Sequence, residues 1–118
     1  MSIVAELAAR PGVIAAGEYS YRGDRFQCKG ELSEEHARMA SIMCRATNLS
    51  AHMQAHFLAL GMDPCPFNPA SGWSVRGPHF TVCVMANVFC FLDNTATSLN
   101  EVMRLMHKHL GREPEDLI

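Results

Sequence analysis

The chain has 118 residues, 48% of them hydrophobic and 19% charged, with a formal net charge of −2. That length suits one domain with a packed core and excludes a disordered chain. Ten Lys and Arg lie scattered among twelve Asp and Glu, which excludes the basic field of a dedicated nucleic-acid binder. No apolar run approaches the roughly 18–20 residues that span a bilayer, so no membrane partner is expected.

Ser2 caps a short helix carrying Ile3, Val4 and Leu7 on one side, and Pro11-Gly12 ends it. The run from Val13 to Tyr21, apolar and then alternating, predicts a strand. Arg22-Gly23-Asp24 is a turn, and the alternation from Arg25 to Lys29 predicts a second strand that closes a hairpin. Ser33, Glu34 and Glu35 put a hydroxyl cap and two acids at the positive end of a helix dipole. Apolar residues then recur at Met39, Ile42, Met43, Ala46, Leu49, Met53, Phe57 and Leu60, all on one helical face. A long helix is therefore predicted over Glu34–Leu60, stopped by Gly61.

Pro64, Pro66 and Pro69 make residues 63–69 an irregular loop, because each proline fixes φ and removes a backbone donor. Three apolar runs follow, at Trp73–Val75, Phe80–Ala86 and Val88–Leu92, with Gly77-Pro78 and Asn87 at the breaks; they predict three strands. Phe80–Ala86 is apolar on both parities, as in a strand covered on both faces. Ser98 and Glu101 form a capping box for a last helix with the stripe Leu99, Val102, Met103, Met106 and Leu110. Gly111 is a plausible C-cap, and residues 113–118 form an acidic tail beyond a single domain of residues 1–112. The expected fold class is α+β: a five-stranded, mostly antiparallel sheet, the long helix on one face and the N- and C-terminal helices on the other.

The residues that could carry chemistry do not assemble into a catalytic set, and no enzyme is expected. His52 and His56 stand four apart on one side of the long helix, as a metal site needs, but the residue after His52 is Met and no third ligand stands nearby in sequence. Two imidazoles alone do not close a site, so they read first as polar residues bordering a helix–helix interface. A metal- or small-ligand-binding sensor on this flank is the alternative function. The five cysteines, odd in number and never spaced C-x-x-C, read as free thiols of a cytoplasmic protein. Cys65, between prolines, is the one that could be exposed, and a Cys65–His79 nucleophile would need a neighbouring base that nothing in the sequence supplies. No Walker A or dinucleotide-binding glycine pattern occurs, and no cofactor is expected.

Three stretches resemble the roadblock family of dynein light chain-like proteins, in particular a bacterial branch of it. They are Pro11-Gly12-Val13-Ile14-Ala15-Ala16-Gly17, the Arg22-Gly23-Asp24 turn, and Val75-Arg76-Gly77-Pro78 through Asn87-Val88-Phe89 to Asp93. The resemblance implies a dimer in which the long helices pack together and central strands join into one sheet. It assigns the interface to Met39, Met43, Leu49 and Met53 on the helix and to Trp73 and Val75 on the strand near Gly72–Arg76. It also implies a non-catalytic regulatory or scaffolding role, with a small GTPase or a multiprotein complex as partner. The methionines fit such an adaptable surface and equally fit gaps in a core.

Overall fold

The computed structural model describes residues 2–62, 64–65 and 71–110. Hydroxyl caps start the helices where the sequence places them. Ser2 Oγ accepts from the Ala5 N–H at 3.1 Å and opens α1 (Ile3–Ala8). Ser33 Oγ accepts from the His36 N–H at 3.1 Å and opens α2 (Glu34–Ala59). Ser98 Oγ accepts from the Glu101 N–H at 3.4 Å and opens α3 (Leu99–Leu110). Each cap satisfies an orphan donor of the first turn. No helix among the described residues is long and apolar enough to cross a membrane. The predicted Gly111 cap, the 113–118 tail and most of the 63–69 loop lie outside the described residues.

The strands are β1 (Val13–Tyr19), β2 (Phe26–Gly30), β3 (Gly72–Arg76), β4 (Phe80–Met85) and β5 (Val88–Asp93). They form one sheet of order β2-β1-β5-β4-β3, antiparallel at every pair. The chain makes the β1–β2 hairpin, crosses the sheet through α2, builds the β3-β4-β5 meander and returns β5 beside β1. The fold class is the α+β arrangement expected from sequence.

Strand parity divides the core into two layers. On one face Cys83, Met85, Val88, Cys90 and Leu92 meet Val4 and Leu7 of α1 and Val102 and Met106 of α3. On the other face Tyr19, Val84 and Phe89 meet Cys44 and Ala40 of α2, with Trp73, Val82 and Phe91 partly buried beside them. Gly17 lies under this second layer. A Cβ there would overlap the Phe89 ring and sit 2.6 Å from the Gln27 carbonyl oxygen, so a hydrogen is the only side chain that fits.

The β4–β5 turn is Ala86-Asn87, at the break that Asn87 marks in the sequence. Its left-handed residue is Ala86, at φ 56°. Asn87 docks the turn onto the end of β1. Its Nδ2 donates to the Tyr19 carbonyl at 2.8 Å, and its own carbonyl accepts from the Tyr19 N–H at 3.1 Å.

Candidate interaction surface

The side of α2 that lies on the sheet is built from small residues. Ala37, Ser41, Cys44, Asn48 and Ala55 are all buried. Small side chains let the helix backbone approach the sheet, and the polar ones are satisfied locally. Ser41 Oγ donates to the Ala37 carbonyl at 2.8 Å, and Asn48 Oδ1 accepts from Trp73 Nε1 at 3.2 Å. At the hairpin end, Arg45 Nε donates to the Tyr21 carbonyl at 2.8 Å.

At 3.6 residues per turn, the apolar stripe falls on the opposite side of the helix. Met39, Ile42, Met43, Leu49, Met53, Phe57 and Leu60 are each 47–73% exposed. The helix is thus amphipathic in the reverse sense for a lone subunit, with its largest apolar side chains pointing away from the core.

The six residues assigned to an interface by resemblance separate into two groups. Met39, Met43, Leu49 and Met53 form one continuous exposed helix face. Val75 is exposed on β3, the strand at one edge of the sheet. Trp73 shares Val75's face of β3 but is half-buried, packed into the α2 layer of its own subunit. Phe80 extends the exposed apolar area beside Val75 and was missed by the sequence reading. Its parity with Val82 and Val84 on β4 was the available signal, masked because β4 is apolar on both parities.

His52 and His56 are exposed on the flank between the packed and apolar sides of α2, the flank that also carries Arg38 and Arg45. Among the described residues no three His, Cys, Asp or Glu side chains gather into a metal-holding group. Cys65 is free and half-buried. Cys83 and Cys90 face each other across β4 and β5 inside the core. The Cys90 thiol is pushed up by its hydrogen bond with Cys83 and by burial, and burial raises Cys44 to about 12. Thiols so placed stay protonated at neutral pH and do not act as nucleophiles.

Comparisons with known proteins agree with this architecture. The crystal structure of a Roadblock/LC7 domain from Streptomyces avermitilis matches over 98% of this chain and 94% of that one, with a TM-score of 0.65 and 13% sequence identity. That likeness shows that the fold is the Roadblock/LC7 fold. No curated protein matches the chain. Residues 3–108 match the family described as "Uncharacterized conserved protein (DUF2173)", and the chain, with its Roadblock/LC7 fold, belongs to that family.

Proposed function

We propose that the chain is a non-catalytic, dimeric protein-interaction module, regulatory or scaffolding, whose first partner is a second copy of itself. The observation that carries this reading is the reversed amphipathicity of α2. Burying an exposed Met, Leu, Ile or Phe more completely is worth about 1 kcal/mol or more. Seven such side chains on each of two subunits gather an energy on the scale of the roughly 4–15 kcal/mol that association costs. The free edge at β3 supports the same reading, because an unpaired antiparallel edge is a template for another strand. Residues 1–112 act as the unit, in the cytoplasm, and the roadblock resemblance points to a small GTPase or a multiprotein complex as the further partner.

The test is native mass spectrometry with size-exclusion light scattering on the wild type and on Met53→Glu. The wild type is expected at twice the 13.0 kDa protomer mass. Met53→Glu, changed at a position that the subunit core does not use, is expected at the protomer mass with unchanged far-UV circular dichroism. A wild type that stays monomeric at high micromolar concentration, or a Met53→Glu that stays dimeric, overturns the proposal.

A further inference from the structure

The β1–β2 hairpin turn and the first half of α2 border an open cavity of about 320 Å³. Arg22, Arg25, Arg38 and Arg45 line it, with Asp24 as the only carboxylate. Four of the ten basic residues of a net-acidic chain therefore converge on one concavity. Among the described residues none of these four guanidinium groups is in an ion pair; the pairs present are Arg10–Glu101 and Glu6–His109, elsewhere on the molecule.

The turn that holds the arginines is tied down by local bonds. Ser20 Oγ donates to Asp24 Oδ1 at 2.7 Å and accepts from the backbone N–H groups of Asp24 and Arg25 at 3.2 and 3.1 Å. The hydroxyl and the neighbouring Arg25 hold the Asp24 carboxyl below its ordinary value, so the concavity carries four guanidinium charges against one carboxylate. Gly23, at φ 81°, presents no side chain, and Arg45 lies against it with Nε fixed on the Tyr21 carbonyl. That single bond orients the guanidinium and leaves its terminal nitrogens to bind something else. Phe26 and Ile42 supply an apolar wall beside the charge.

We propose that this cavity is a binding site for a small phosphate-bearing molecule of mononucleotide size, its phosphates gripped by Arg22, Arg25, Arg38 and Arg45 and its apolar body set against Phe26 and Ile42. The planar guanidinium fork matches phosphate oxygens in pairs, and Arg45, already oriented on the Tyr21 carbonyl, binds them with little ordering cost. The volume lies within the range of small-molecule sites, roughly 300–1,000 Å³. The site lies on the hairpin side of α2, with Ile42 at its border with the exposed apolar stripe.

Isothermal titration calorimetry of the full chain at fixed ionic strength tests this, with adenosine diphosphate, adenosine and a hexaglutamate peptide as probes. Adenosine diphosphate is expected to bind with one site per chain and adenosine not to bind. Arg38→Gln and Arg22→Gln, both at exposed positions, are each expected to weaken adenosine diphosphate by about tenfold or more while leaving the melting temperature unchanged. The proposal is overturned by any of three results: no adenosine diphosphate binding at millimolar concentration, equal binding by both variants, or tighter binding of hexaglutamate, which would mark the cavity as a seat for an acidic protein segment.

Discussion

The joint between α2 and the edge strand β3 combines the packing of Trp73 with a hydrogen bond whose worth can be measured. Asn48 is buried on the small-residue side of α2, and its Oδ1 accepts from Trp73 Nε1 at 3.2 Å. Asn48→Ala removes the acceptor and leaves the indole N–H facing an apolar layer, a loss of about 1–3 kcal/mol. Trp73 is only half-buried, so water can reach part of the ring and the lower half of that range is expected. Trp73→Phe removes the donor and strands the buried Asn48 oxygen, at a similar cost of about 1–3 kcal/mol. In the double variant neither group is stranded, so the two losses should fall short of additivity by about 1 kcal/mol. Urea unfolding followed by far-UV circular dichroism measures all four proteins, since the only tryptophan of the chain is itself replaced in two of them. One protein concentration must be used throughout, because a dimer's midpoint depends on it. Strict additivity, or single variants within experimental error of the wild type, would refute the claim that this bond fastens β3 to α2.

Two further outcomes follow from the core. Gly17→Ala puts a methyl into the Phe89 ring and the Gln27 carbonyl and should destabilise by about 1–3 kcal/mol or more, read as a lowered urea midpoint with little change in slope. Burial raises the Cys44 thiol from its ordinary value near 9 to about 12, so the folded state keeps a proton that the unfolded chain loses. Stability from this group is complete below about pH 9 and is lost as pH climbs toward about 12, by up to about 1.4 kcal/mol per unit. Tyr19, also raised by burial, adds to the same alkaline loss. Cys44→Ala should flatten the fall in urea midpoint across that window, and an unchanged profile would reject the assignment.

Most of the elements could be read from residues alone, for identifiable reasons. Ser2, Ser33 and Ser98 announce helix starts because a side-chain oxygen there satisfies a donor that the helix cannot. Alternation and turn residues mark the strands because the pleat has a period of two. Strand order was not legible: the β4–β5 hairpin is local, but nothing local tells Val88–Asp93 to pair also with β1, since that pairing joins residues far apart in the chain. The inward side of α2 was legible only in reverse. The usual rule places Met39, Leu49 and Met53 inside, yet Ala37, Ser41 and Ala55 are the residues buried. Asn87 marked the β4–β5 turn correctly, but its bonds to Tyr19 and the positive φ of Ala86 were not legible locally. The arginine cavity was invisible because its members lie on a turn and a helix that meet only once α2 folds back over the hairpin.

The position of β5 has a bearing on how the chain comes off the ribosome. Of the five strands of this sheet the last in chain order is the middle one, flanked by β1 and β4. Until Val88–Asp93 has emerged, the N-terminal hairpin and the β3–β4 pair have no shared sheet, and each presents an open edge. Closure waits on contacts across most of the chain, the kind that pay loop entropy first and fold slowly. A chain stopped just short of Val88 would hold two unfinished halves with sticky borders, which makes nascent-chain protection, more than final stability, the stage at which this protein is most exposed to aggregation.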